Sequence, residues 1–104
     1  RHRQLFTDMF MFSSEERIPI CLRLDLLAHS LMCEEYPHAA ELMKPDGRNH
    51  WVLTTDVANY VGIGRFILGL YDHVEIVYGD GLKRYLRERL SAMSAMDGPQ
   101  IGGR

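Results

Sequence analysis

Residues 18–24 constrain the fold most, because this run, IPICLRL, places an apolar side chain at every second position. A two-residue period is typical of a β-strand with one buried face. Pro19 within the run favours an edge strand or the start of a strand. Asp25 follows directly and can cap a helix, so we predict a half-buried strand that leads straight into a helix. The apolar face of this strand consists of Ile18, Ile20, Leu22 and Leu24.

The rest of the chain divides into alternating extended and helical runs. The turn sequence PDG at 45–47 separates two extended runs and indicates a hairpin. The order strand, helix, strand, strand, helix, strand is that of a split βαβ fold. We therefore predict an α+β fold, a ferredoxin-like βαββαβ sandwich with a four-stranded antiparallel sheet, two helices on one face and an additional C-terminal helix. The predicted strands are at 18–24, 39–44, 50–57 and 73–78, and the last of them has Val74, Ile76 and Tyr78 on one side. The predicted helices are one at 26–36 and one that begins at Tyr60 and is capped by Asn59. A last helix is capped by Asp80 and has an apolar stripe of Leu82, Tyr85, Leu86, Leu90 and Met93.

A chain of 104 residues has the size of one domain. We predict that residues 18–96 form this domain. Residues 1–17 carry apolar side chains at helical spacing, and we interpret them as a linker segment from an upstream domain. Residues 97–104 are rich in glycine and are predicted to be a disordered tail. Because the sequence begins with Arg1 rather than Met, we expect it to be a fragment of a longer protein.

The composition excludes several classes of protein. A formal net charge of −2 argues against autonomous nucleic-acid binding, which depends on a basic surface. The sequence contains neither a run with the length of a transmembrane helix nor a recognisable signal peptide, so we expect a cytoplasmic protein without membrane contact. Cys21 and Cys33 cannot make a disulfide framework, and we expect two buried free thiols.

The stretch YVGIGRFILG at 60–69 holds three glycines and invites comparison with a dinucleotide-binding loop. Such a loop needs the spacing G-x-G-x-x-G, but Ile67 occupies the third glycine position. Helical periodicity places Gly62 and Gly64 inside the first turns of a helix, where small residues permit close approach to a sheet. We therefore predict a packed helix rather than a phosphate site, with Gly69 loosening its last turn.

The pattern contains no recognisable metal centre or catalytic group. Of the five histidines, only His29 has a ligand-like spacing to a cysteine, Cys33, and nothing nearby in the sequence completes a site. Nucleophile motifs and carboxylate pairs are also missing, so we predict a protein that is not an enzyme and has no catalytic residues, cofactor or metal. The cations of the last helix form either its solvated side or a phosphate-contacting surface. They are Lys83, Arg84, Arg87 and Arg89.

An ordered set of motifs resembles the C-terminal extension (WCX) domain of the WYL-domain transcriptional regulators. In that family a strand of the type P-V-x-L-x-L opens the domain, and a helix ending near E-E-Y-P follows. A D-G turn, an R-F-I-L-G-L helix, a V-E-V strand and a terminal L-K-x-x-L-x-x-x-L helix come next. The resemblance covers about residues 10–93, and FTDMFMFSSEE before the first strand is similar to the family's linker. The matching segments are IPICLRL at 18–24, EEYP at 34–37, DG at 46–47, RFILGL at 65–70, VEIVY at 74–78 and LKRYLRERL at 82–90.

The resemblance implies a regulatory and dimerisation accessory domain of a bacterial, cytoplasmic, DNA-binding transcriptional regulator, which couples effector sensing to DNA binding. Such regulators carry an upstream winged helix-turn-helix and a WYL domain, and this chain contains neither. DNA would therefore be contacted only through the missing N-terminal domain. The implied partners are a second copy in a homodimer, the WYL and winged-helix domains of the same polypeptide, and a nucleotide or nucleic-acid effector. The alternative is a stand-alone ferredoxin-like sensor module that binds a small molecule.

The face of the predicted sheet that the helices leave uncovered supplies the candidate binding residues. We expect this face or the terminal helix to meet a second copy or a neighbouring domain. Arg65, near the predicted start of the second helix, is the candidate for an anionic effector because the N-terminal turns of helices attract anions. A surface salt bridge is its alternative role, and Arg23 is a further effector candidate. The interface candidates are Arg23, Val52, Thr54, Asp56, Glu75 and Val77.

Overall fold

A four-stranded antiparallel sheet with helices packed on it forms a mixed α+β fold, which a computed structural model describes for residues 4–96. The predicted tail at 97–104 lies outside the described residues. Two short 3₁₀ helices occupy Pro37–Leu42 and Tyr71–His73. The other elements are β1 (Phe6–Thr7), β2 (Ser13–Ser14), β3 (Ile18–Asp25), α1 (Leu26–Glu35), β4 (Met43–Pro45), β5 (His50–Val57), α2 (Val61–Leu68), β6 (Val74–Tyr78) and α3 (Asp80–Ala95).

Strand β3 lies inside the sheet, between β5 and β6, and β4 pairs with the other edge of β5. The order is β4-β5-β3-β6, with every pair antiparallel. The predicted antiparallel sheet and the additional C-terminal helix are thereby confirmed. Pro19 was predicted to lie either in an edge strand or at the start of a strand. It lies at the start of a strand, because β3 begins at Ile18.

The strand predicted at 39–44 is largely wrong. Residues 37–42 form the first 3₁₀ helix, and only Met43–Pro45 pairs with β5. Pro37 stands at the beginning of that 3₁₀ helix, where its fixed φ suits a helical turn and its missing N–H costs nothing. The turn signal at 45–47 is correct, since Gly47 has a φ of 80° between β4 and β5.

The core consists of the apolar face of β3 and β5 together with side chains from all three helices. Leu22 and Leu53 are opposite each other in the sheet and are both fully buried. Burying such a side chain contributes roughly 1.5–3 kcal/mol to folding, so the alternation in the sequence supplies much of the stability. The predicted inward residues of β3, α1 and α2 lie in or against this core. The side chains of the three α-helices with no exposed surface include Ala28, Met32, Ile63 and Leu82.

Strand β6 departs from simple alternation near its end. The register shifts between Cys21 and Leu22, so that Ile76 faces Leu22 while Tyr78 faces Cys21. This bulge leaves Val77 as the extra residue, and both Val77 and Tyr78 are exposed. The prediction that Tyr78 shares the inner side with Val74 and Ile76 is therefore wrong.

The helix starts confirm one of the three predicted capping residues, Asp25. The Asp25 carboxylate accepts a hydrogen bond from the N–H of Ala28 at the start of α1. Asn59 is not the cap of α2, because the N-cap is Tyr60; its side chain accepts from the N–H of Val61 two residues on, as in an Asx turn. Asp80 is not a cap, because it lies inside the first turn of α3 after Gly79. Its charge there still favours the positive end of the helix dipole.

The predicted apolar stripe of α3 is only half covered. Leu82 and Leu86 are buried and Tyr85 is half-buried. Leu90 and Met93 are 53% and 54% exposed, because α3 continues beyond the body of the domain. The predicted stripe is present, and only its first half is buried in the core.

Residues 6–14 form a small hairpin of β1 and β2 that packs against the domain. Asp8 is buried and accepts hydrogen bonds from the N–H groups of Phe10, Phe12 and Ala58. Because Ala58 follows β5, this one carboxylate joins the hairpin to the turn before α2. The segment predicted to be a linker thus packs, in its described part, against this same domain. It forms a hairpin, so the helical spacing that the sequence suggested for its apolar residues is wrong.

Gly62 and Gly64 in α2 give room to aromatic rings rather than to the sheet. A Cβ added at Gly62 would lie 2.6 Å from Cγ of Phe10. One added at Gly64 would lie 2.7 Å from Cε2 of Tyr85. The prediction that these glycines let the helix approach the sheet is therefore wrong, because their nearest neighbours are Phe10 of the hairpin and Tyr85 of α3.

Candidate functional site

One face of the sheet is exposed or half-buried along β3, β5 and β6 and carries five of the six predicted interface residues in register, with Val77 in the bulge beside them. We call it the open face and define it by the outward residues of β3, β5 and β6. The antiparallel register places Arg23 beside both Val52 and Glu75. Residues opposite each other in antiparallel strands share a face, so the predicted residues do form one surface. Its members are Pro19, Cys21, Arg23, Val52, Thr54, Asp56, Glu75 and Tyr78, together with the exposed bulge residue Val77.

Two of the three charged residues of the open face, Arg23 and Asp56, form ion pairs within the chain. Nε of Arg23 donates to Oδ2 of Asp46 at 2.7 Å. Arg17 lies 3.7 Å from Asp56, in an exposed ion pair. Exposed pairs of this kind contribute at most about 1 kcal/mol, so a partner could displace them. The role of Arg23 as an effector ligand stays a prediction.

The open face also carries exposed apolar side chains. Val77 is 53% exposed and Tyr78 is 60% exposed, and half-buried Val52 adds to them. A cleft of about 440 Å³ opens beside β4 and includes Leu42, Val52 and Thr54 in its lining. Tyrosine and aliphatic groups surrounded by charges are typical of surfaces that bind other proteins.

A small polar cup lies at one end of the open face and was not predicted from the sequence. Its volume is about 170 Å³, below the roughly 300–1,000 Å³ of pockets that enclose drug-sized ligands. Its side chains come from β3, β5, β6 and the second 3₁₀ helix, so no local motif could have revealed it. The cup is lined by Arg23, Asp25, His50, Asp72, His73, Val74 and Glu75.

Asp25 and His73 form the strongest contact in this cup. Nδ1 of His73 donates to Oδ2 of Asp25 at 2.6 Å, while Oδ1 of the same carboxylate caps α1. The hydrogen bond to Asp25 raises the pKa of His73, burial lowers it, and the charges of Asp25 and Asp72 raise it, with a net upward result. Burial raises the pKa of Asp25, but the Ala28 N–H, the His73 contact and the His50 charge outweigh it and lower that pKa. The pair therefore favours its charged form.

The stability of the domain should depend on pH through this pair. His73 contributes stability that is fully present below its unfolded pKa of about 6.5 and is lost as the pH rises through its higher folded pKa. Asp25 contributes stability above about pH 3.9 that is lost as the pH falls through its lower folded pKa. We expect His73→Asn to reduce the free energy of unfolding most near pH 5–6 and least above pH 8, in urea titrations across this range.

His38→Asn provides the matched control, because His38 is exposed and lies outside the cup. Its free energy of unfolding should follow that of the unaltered chain at every pH. If His73→Asn lowered the free energy of unfolding by the same amount from pH 5 to pH 9, the charged pair would not be what stabilises the fold.

Arg65 occupies a different part of its helix than predicted. Helix α2 spans Val61–Leu68, and Arg65 lies in its last turn, where the helix dipole favours cations rather than anions. The groove next to it contains the exposed carboxylates Glu34 and Glu35. The physical reason for expecting an anion at Arg65 is therefore wrong, and its effector role stays a prediction without that support.

The two cysteines are free and half-buried, so they are less enclosed than predicted. Sγ of Cys33 lies 3.7 Å from Nε2 of His29, which stacks on Trp51 with a centroid distance of 3.8 Å. The thiol of Cys21 accepts a hydrogen bond from Thr54 on the open face. Within residues 4–96, no three His, Cys, Asp or Glu side chains are grouped so that they could hold a metal ion.

Comparison of the chain with protein-family models, with curated proteins and with solved structures finds no match. The resemblance to the WYL-associated extension domain therefore stays a prediction. Across the described part of the chain, the helices are too short or too polar to cross a membrane.

Proposed function

We propose that this chain is a regulatory accessory domain of a bacterial, cytoplasmic, DNA-binding transcriptional regulator. Its open face binds another domain of the regulator, and an effector shifts the balance between the bound and free arrangements. DNA is contacted only by an upstream winged helix, since this chain has no basic excess. The observation that carries the proposal is the open face itself, where exposed Val77 and Tyr78 lie beside weakly paired charges.

The finer fold assignment belongs to the same proposal. We infer a ferredoxin-like sandwich with α1 and α2 on one face of the sheet. The order β4-β5-β3-β6 supports it, because the strands read in chain order as a split βαβ pattern. Buried Ala28, Met32, Ile63 and Ile67 from both helices join the core cluster that contains Leu22 and Leu53. This arrangement leaves the opposite face of the sheet available for a partner.

The thiol of Cys21 provides a direct test, because it lies on the open face. The in-frame coding sequence upstream of this chain should encode a winged helix and a WYL domain. In the complete polypeptide, alkylation of Cys21 should be at least about tenfold slower than in the isolated chain, because thiol modification requires access. Val77→Asp, next to Cys21 in the bulge, should restore rapid alkylation in the complete polypeptide.

Cys33 is the internal control, since it lies on α1 and away from the open face. Its alkylation should proceed at the same rate in both forms of the protein. Equal rates for Cys21 in the two forms would refute domain binding by the open face. An upstream coding sequence without a DNA-binding domain would refute the regulatory assignment.

A further inference from the structure

The polar cup at the end of the open face has the size of one long side chain. Its volume is about 170 Å³, and one water molecule in the liquid takes up roughly 30 Å³. The cup therefore has room for about five or six non-hydrogen atoms, which matches the outer part of an arginine or lysine side chain. The cup shares Arg23 and Glu75 with the open face, so a domain bound to that face comes within reach of it.

Negative charge predominates among the side chains that line the cup. Its carboxylates belong to Asp25, Asp72 and Glu75, whereas Arg23 is its one permanent cation. Nε of Arg23 already donates to Oδ2 of Asp46 at 2.7 Å. Because Asp46 is not part of the lining, this ion pair removes positive charge from the cup without removing any of its carboxylates. Charge complementarity therefore favours a cation as the occupant.

Asp72 and Glu75 are the two carboxylates available to such a cation. Both oxygens of Asp25 are engaged, one at the cap of α1 and the other with His73. The Asp72 side chain is 63% exposed, and its only ion pair within residues 4–96 is a long one of 3.6 Å to Nε2 of His73. Within the same residues the exposed Glu75 carboxylate has no ion pair, although Arg23 lies directly opposite it in β3.

The hydrogen-bonding groups of the cup favour a guanidinium over an ammonium group. Nδ1 of His50 lies 2.9 Å from the carbonyl oxygen of Arg48 and donates to it, so the neutral ring has Nε2 as an acceptor. His50, Asp72 and Glu75 thus bring acceptors from β5, the second 3₁₀ helix and β6 to one cup. A guanidinium has five N–H donors in one plane, whereas an ammonium has three. Arginine is therefore the better match.

We propose that the cup receives an arginine side chain of the domain that binds the open face. This inference rests on the proposed function and adds the chemistry that the partner must carry. The carboxylates of Asp72 and Glu75 bind the guanidinium, while exposed Val77 and Tyr78 further along β6 contact apolar side chains of the same partner. Arginine is enriched among the few residues that dominate the binding energy of protein interfaces.

Alkylation of Cys21 in the complete polypeptide tests the anchor, because Asp72 lines the cup but is not part of the open face. Asp72→Lys should speed this alkylation at least about tenfold, since a cation there repels the incoming arginine. Asp72→Glu keeps the charge and should leave Cys21 protected. Equal protection in both variants would refute the anchor and leave domain binding intact. A Cys21 that is unprotected in the unaltered polypeptide would refute the proposed function together with the anchor.

Titration of the isolated chain with ethylguanidinium chloride tests the chemistry of the cup, and ethylurea is its uncharged counterpart of similar shape. NMR signals of the His50 and His73 rings report on the cup. Ethylguanidinium should shift them at concentrations at least about tenfold lower than ethylurea, because hydrogen bonds between charged groups are the stronger ones. Asp72→Asn combined with Glu75→Gln should abolish this difference, whereas Glu41→Gln, outside the cup, should keep it. Equal shifts with both probes in the unaltered chain would overturn the proposal.

Discussion

Asp8→Ala is expected to lower the free energy of unfolding by about 3 kcal/mol. Three backbone N–H groups, of Phe10, Phe12 and Ala58, lose their acceptor at distances of 2.9–3.0 Å. Hydrogen bonds to a charged group contribute about 1.5–3 kcal/mol each, and part of that sum returns because the buried charge is also removed. Total stabilities of about 5–15 kcal/mol make this a large fraction. Urea denaturation followed by circular dichroism measures it.

Two further variants make the interpretation specific. Asp8→Asn keeps an oxygen for Phe10 and Phe12 but presents its amide nitrogen to Ala58, so its loss should be intermediate. Thr7→Ala removes an exposed hydroxyl that is bonded to Ser13 and should change stability by less than about 0.5 kcal/mol. If Asp8→Ala were as stable as Thr7→Ala, the carboxylate would not be what holds the hairpin to the domain.

Gly62→Ala is expected to destabilise the domain by about 2 kcal/mol, although alanine favours helices by about 1 kcal/mol over glycine. The new Cβ would lie 2.6 Å from Cγ of Phe10, which is only 7% exposed. The ring must move, which forfeits part of the roughly 1.5–3 kcal/mol from its burial. It also disturbs the edge-to-face contact with Tyr36, whose centroid lies 4.8 Å away. Thermal and urea unfolding both report the loss.

Gly69→Ala is the matched control at the end of the same helix. Gly69 has a φ of −84°, and an added Cβ would meet nothing closer than 3.9 Å. This substitution should be neutral or stabilise the protein by up to about 1 kcal/mol, because it restricts the unfolded chain. A Gly62→Ala variant as stable as Gly69→Ala would mean that Phe10 does not depend on the glycine.

Much of the fold could be predicted because its strands alternate with little interruption. The period of β3 assigned Leu22 to the core and Arg23 to the open face, and the register with β5 and β6 agrees. The same reasoning failed for Tyr78, because a bulge is a mismatch between two strands and neither strand reveals it alone.

The candidate site was predictable only as a surface. Five of the six interface residues lie on the open face as expected, since alternation fixes their side of the sheet, whereas Val77 lies in the bulge of β6. The polar cup was missed, because Asp25 and His73 belong to different segments and meet only through the pairing of β3 with β6. The position of Arg65 was predicted wrongly because α2 begins one residue later than predicted and ends at Leu68. Arg65 therefore lies in the last turn of the helix.

The sequence by itself determined the three longer helices and their place among the main strands, the buried faces of β3 and β5, and the Asp25 cap of α1. These features follow from the periodicity and chemistry of neighbouring residues. Only the tertiary structure decided that Gly62 gives room to Phe10 and that Asp8 joins a hairpin to Ala58. It also decided that the apolar stripe of α3 extends beyond the core, where Leu90 and Met93 are exposed. Each of these depends on where a distant segment packs, and that position is set by the whole core rather than by any local pattern.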